Sequence, residues 1–121
     1  MGYRSDVAVV IYGDGLSQEK YDLLKTLMNT TFKEAYTEFE SSAKWHGHKR
    51  ALEFKMEDVK WYDSYPDVRS FMNMLDKVGE LEGFNYEFVR VGEETDDIEQ
   101  TQRGEDLRYA LSVTRSIEVD L

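Results

Sequence analysis

The stretch DVAVVIY, Asp6 to Tyr12, sets six apolar residues in a row from Val7 onward, four of them β-branched. The run is bounded by Asp6 and by Gly13-Asp14-Gly15, and it is too short to be a helix of its own. It reads as a strand buried on both faces, and therefore as a central strand of a sheet. The rest of the chain has to supply its neighbours and its covers.

After the Gly-Asp-Gly turn, Ser17 is a good N-cap, and Tyr21, Leu24, Leu27, Met28, Phe32, Ala35 and Phe39 recur at three and four. That spacing predicts one amphipathic helix over roughly 18–41. Gly47 is its expected stop. RALEFKM then alternates, with Leu52, Phe54 and Met56 on one face and Glu53, Lys55 and Glu57 on the other, as in a strand with one wet face.

A second amphipathic helix carries Val68, Phe71, Met72, Leu75 and Val78 and is closed by Gly79 or Gly83. FNYEFVRV, 84–91, reads as a third strand. An acidic loop follows, and LRYALSVTRSIEV reads as a fourth strand with Tyr109, Leu111, Val113, Ile117 and Val119 on one parity, broken by Arg115. The last two strands are expected to form a hairpin joined by the acidic loop.

The order β-α-β-α-β-β predicts an α+β two-layer sandwich: a four-stranded, mostly antiparallel sheet with two helices on one face. A ferredoxin-like arrangement would need β-α-β-β-α-β. Here the second helix comes one strand early, which argues against a strict ferredoxin fold.

A chain of 121 residues is expected to form a single domain, 1–121, burying about two-thirds of its unfolded surface. It has no cysteine, which excludes disulfides, thiolate nucleophiles and cysteine-ligated metals and fits a reducing cytoplasm. No apolar run approaches the ~20 residues of a membrane span. The short apolar stretch near the N-terminus fits a strand better than a signal peptide, and Asp6 stands where a myristoylation signal has Ser or Thr.

The chain carries 25 acids and 15 bases, a net charge of −10. Such a field disfavours nucleic acid and anionic membranes as direct partners and favours basic ones. More than half of it lies between Gly92 and Asp106, where seven acids and one base leave −6.

The acidic segment leaves three readings open. Glu93, Glu94, Asp96, Asp97 and Glu99 could face Arg and Lys on a partner protein, could converge on a divalent cation, or could simply keep a hairpin loop solvated. The segment lacks the spaced order of an EF-hand loop, so no metal site is assigned.

The one basic patch, KWHGHKR from Lys44 to Arg50, reads first as a helix C-terminus with cations that suit the macrodipole. His46 and His48 lack a third metal ligand nearby in sequence. No Ser-His-Asp order, nucleophile elbow, HExxH or phosphate-cradling glycine loop is present, so no catalytic residue and no cofactor is assigned.

In KWYDSYPDV, 60–68, Ser64, Pro66 and Asp67 suggest a capping-box-like helix start. Trp61 is the ambiguous residue. Either the preceding strand ends or bulges near Asp58, or Trp61 lies on the face opposite the helices; in the second case Trp61, with Tyr62 beside it, belongs to a partner-binding surface.

GYRSDVAVVIYG, VKWYDSYPDV and FVRVGEETDDIE together resemble stretches of small uncharacterised proteins of tailed phages and prophages, often beginning M-G-Y-R-S-D-V. The resemblance covers about a quarter of the chain and brings no catalytic residues with it. It implies a phage accessory protein acting in the host cytoplasm. The expected function is to bind and inhibit or redirect a host protein with a basic surface, such as a defence or nucleic-acid-handling factor. An anti-CRISPR or other anti-defence role falls within that class by analogy. The alternative is a protein that binds or sequesters a small molecule or nucleotide signal near Trp45 and Arg50. A homodimer is compatible with either.

Overall fold

The computed structural model describes residues 2–113 and 117–121. Strand β1 (Ser5–Gly13) lies at the centre of an antiparallel five-stranded sheet ordered β2-β3-β1-β4-β5. Its neighbours are β3 (Ala51–Val59) and β4 (Phe84–Val91). Strands β2 (Ala43–His46) and β5 (Ile98–Arg103) form the two edges. The structure is α+β, as the element pattern predicts.

Val7, Ala8, Val9, Val10, Ile11 and Tyr12 are all fully buried, and they divide between two cores. Val7, Val9 and Ile11 face the helices α1 (Gln18–Asn29), α2 (Lys33–Phe39) and α3 (Pro66–Glu80). Ala8, Val10 and Tyr12 face a two-stranded C-terminal hairpin, β6 (Leu111–Val113) with β7 (Ile117–Val119), whose Leu111 and Ile117 pack on them. The sheet is therefore covered on both sides, and the expected two layers become three.

Several details differ from the sequence expectation. The long helix is interrupted at Thr30–Phe32. There Asn29 and Thr30 side chains donate to the carbonyls of Lys25 and Thr26, and Phe32 N–H reaches back to Leu27 O. Such local bonds compete with the helical ladder and end α1.

The patch 44–50 is not a helix C-terminus. It contributes β2 and the turn into β3, with Gly47 in that turn. Counting β2 gives β-α-β-β-α-β in the order β4-β1-β3-β2, which is the ferredoxin-like arrangement. β5 extends it at one edge. The acidic stretch is not a long loop either. It folds as a tight turn over 92–97 and then as β5 paired with β4. Within LRYALSVTRSIEV, Leu111–Val113 and Ile117–Val119 pair antiparallel as β6 and β7 and do not form one strand, and the parity break at Arg115 lies outside the described residues.

The Trp61 question is settled by a bulge. Ser5 pairs with Val59, but Val7 pairs with Met56, so β3 holds one extra residue at this point. Asp58 there has φ +55 and donates its N–H to Asp6 Oδ1 at 2.9 Å. One inserted residue inverts the parity of the residues beyond it. Val59 and Trp61 thus join Met56 on the helix side. Trp61 is 8% exposed and lies edge-on to Phe71 at 5.7 Å, with Phe39 at 5.6 Å.

Helix α3 begins at Pro66 with Tyr65 as N-cap, and no side chain caps it. The Ser64 capping box is therefore not formed.

Trp61→Ala is expected to cost about 3–5 kcal/mol in urea unfolding, the range for large-to-small aromatic truncation in a core. A loss below about 1 kcal/mol would place the indole outside the core.

Candidate functional site

The acidic turn is built on a guanidinium. Arg90, near the end of β4, has a side chain only 11% exposed. Its terminal nitrogens donate to both oxygens of Asp97, at 2.6 and 3.2 Å, and its Nε donates to Glu99 at 2.8 Å. Ser5 Oγ accepts a further bond at 3.0 Å. Arg90 and Glu99 are direct cross-strand partners, which explains their meeting. Such a forked, charge-assisted contact fixes geometry as well as supplying energy.

The N-terminal segment closes over this pair. Tyr3 hydroxyl donates to Asp97 Oδ2 at 2.6 Å and accepts from Glu94 N–H at 3.1 Å. Arg4 N–H donates to Glu93 Oε2 at 2.8 Å, and Tyr3 N–H donates to Tyr62 hydroxyl at 2.7 Å. Gly92 N–H to Asp97 O at 2.8 Å closes the turn itself. A β-carbon on Gly92 would collide with the Asp97 carboxylate and the Tyr3 hydroxyl, so any side chain there has to displace their contact.

Of the residues expected to bind a partner, the structure thus splits the set. Glu93, Asp97 and Glu99 are engaged within the fold, Trp61 is in the core, and half-buried Tyr62 anchors the N-terminus. The side chains of Glu94 and Asp96 are exposed and have no side-chain partner among the described residues. Sequence reasoning alone does not single out Arg90 or Tyr3. Arg90 has a signal, as the one base in FVRV opposite an acid in hairpin register, whereas nothing local marks Tyr3.

At the far end of β5 the chain is pinned differently. Asp106 accepts from Gly15 N–H at 2.6 Å and from Arg108 at 2.9 Å, while Asp106 N–H donates to Asn85 Oδ1 at 2.9 Å. Gly104, at φ +134, lies so close to the Asn85 side chain that no β-carbon fits.

Two solvent-open grooves lie beside the N-terminal segment and beyond the far end of β5. One, of about 580 Å³, is lined by Gly2, Tyr3, Arg4, Asp58 and Glu93. The other, of about 300 Å³, is lined in part by Asp14, Glu80, Glu82 and Glu105. Among the described residues no three His, Cys, Asp or Glu side chains are grouped to hold a metal.

Three residues of the basic patch, Trp45, His46 and Arg50, contact their own fold, while Lys44, His48 and Lys49 are exposed. Trp45 Nε1 donates to Tyr36 hydroxyl at 3.0 Å and meets Tyr21 edge-on at 5.7 Å. His46 contacts Glu53 at 2.8 Å, and Arg50 donates to Gln18 and to Leu16 O. No described helix is long and apolar enough to cross a membrane. No family model, curated protein or solved structure matches the chain.

The Arg90 guanidinium, and secondly the Tyr3 hydroxyl, hold the Asp97 carboxyl below the usual aspartate range. The bond to Asp97 in turn raises the Tyr3 hydroxyl. The folded value of Asp97 is the lower one. Its contribution is therefore complete above the ordinary value near pH 4 and is lost as pH falls through the folded value. Tyr3 ring resonances followed by NMR are expected to hold steady down to about pH 4 and shift below it. In Asp97→Asn the segment should be released at every pH; an N-terminus unchanged by that substitution would contradict the clasp.

Proposed function

We propose that the chain is an interaction protein that binds and inhibits or redirects a basic partner protein through the acidic turn and the edge beside it. The supporting observation is the division of labour among the acids. Arg90, Asp97, Glu99 and Tyr3 hold the turn in one conformation, and on that support Glu94 and Asp96 project without side-chain partners.

A charged loop that is already ordered loses less conformational freedom on binding than a floppy one. The charge of −6 over 92–106 would also speed encounter with a positive surface. The resemblance to tailed-phage accessory proteins makes a host protein the expected partner and the host cytoplasm the expected place. The groups that suggested a small-molecule site, Trp45 and Arg50, are bonded to their own neighbours, which favours the protein-binding reading.

Capture of host proteins by the tagged chain, compared at low and high salt, tests this directly. A specific partner should be lost as salt rises. Glu94→Gln with Asp96→Asn should weaken its binding about tenfold with no change in thermal midpoint, since two exposed charges are removed and no fold contact is. A partner retained equally by that variant would sink the proposal.

A further inference from the structure

Strand β5 has a neighbour on one side only. All six of its residues, Ile98 to Arg103, are exposed, and its outer side is hydrogen-bonded to no other strand among the described residues. Over about 20 Å it therefore presents an unpaired row of backbone N–H and C=O groups, the arrangement that recruits an extended chain as an added strand.

The ends of this edge carry the same sign. Exposed Glu94 and Asp96 stand before it and exposed Glu105 comes after it, next to Asp106, which is paired with Arg108. In the middle, Glu99 is held by Arg90 and Arg103 is exposed, and both lie on the helix side with Thr101, as their pairing with Arg90, Tyr86 and Phe88 shows.

Charge decides between the possible occupants. A second copy pairing antiparallel about Thr101 would set residues 96 and 97 beside 106 and 105 of its partner. Asp96 would then face Asp106 and Asp97 would face Glu105, an excess of acid that Arg90 and Arg108 offset only in part. The Glu99–Arg103 contacts that the same register makes are weakened, because Glu99 is already held by Arg90. An extended segment bearing Lys or Arg near both ends meets the opposite situation. Ile98, 43% exposed on the face away from the helices, offers it one apolar contact.

Building on the acidic-surface reading above, we infer that the β5 edge is the docking strand. It takes an extended, lysine- or arginine-bearing segment of the partner protein by β-strand addition. Backbone bonds would supply affinity and the flanking acids would select the charge.

The test uses the full chain and a fluorescein-labelled synthetic peptide of alternating threonine and valine with lysines toward both ends, read by fluorescence anisotropy. A companion peptide carries N-methyl groups on its central amides, which remove the backbone donors and keep every charge. The parent peptide is expected to bind, and N-methylation to weaken it at least about tenfold. The variant Glu94→Gln/Asp96→Asn/Glu105→Gln should weaken the parent peptide about tenfold while its thermal midpoint stays unchanged.

Equal binding of the two peptides would overturn strand addition yet leave the acidic-surface reading standing. A triple variant that binds as well as the native chain would count against both. No binding of the parent peptide up to about 1 mM would also overturn the inference. So would a concentration-dependent dimer of the free chain, seen by sedimentation and broken by the peptide, since a second copy would then own the edge.

Discussion

Water has to be kept from both faces of β1, and that constraint organises the molecule. Each buried Val or Ile side chain contributes about 1.5–3 kcal/mol relative to exposure. Alternate residues point in opposite directions, so no single layer can cover them all. The three helices seal Val7, Val9 and Ile11 on one side, and the C-terminal hairpin seals Ala8 and Val10 on the other. β3 and β4 are then fixed as the flanking strands, and β4 in turn becomes the template on which β5 forms.

The second face is specified by polar groups as well as apolar ones. Glu87, 1% exposed, accepts from Tyr12 hydroxyl at 2.5 Å and from Leu111 N–H at 3.3 Å, and the same hydroxyl accepts from Arg108 N–H at 2.6 Å. Burial, followed by the bond to Glu87, raises the Tyr12 hydroxyl well above its ordinary range. Buried polar groups are tolerated when they are bonded to one another, and they dictate where the covering segment can lie. Asn85 does the same nearby on β4, joining Asp14 to Asp106. The path of residues 104–111 is thus set by β4, and with it the direction in which the chain leaves β5.

Elements with a strong period were legible in the sequence: β1 from its unbroken apolar run, β3 from its alternation, α3 from its three-and-four spacing. β2 was hidden because four residues, AKWH, are too few to show a period and lie directly after a helical pattern. β5 was hidden for a different reason: IEQTQR has no buried face, so it carries no apolar alternation, and it is a strand only because β4 offers an edge. The bulge at Asp58 was visible as an alternative but not decidable, since the choice depends on pairing with residues 5–7. Within the site, the acids themselves stood out. Their division into engaged and exposed groups did not, because it rests on Tyr3, some ninety positions away in sequence, and on the hairpin register of Arg90 with Glu99.

A protein with this arrangement combines an acidic turn braced by Arg90 and Tyr3 with an open strand edge, and both belong to the same β4–β5 hairpin. The most direct measurement is amide hydrogen exchange on the free chain, resolved residue by residue across 98–103. An open edge requires alternation there: amides turned toward β4 exchange slowly, and those turned outward exchange at least about tenfold faster. Uniformly slow exchange along the strand would mean that its outer side is already covered, and would contradict a free docking edge.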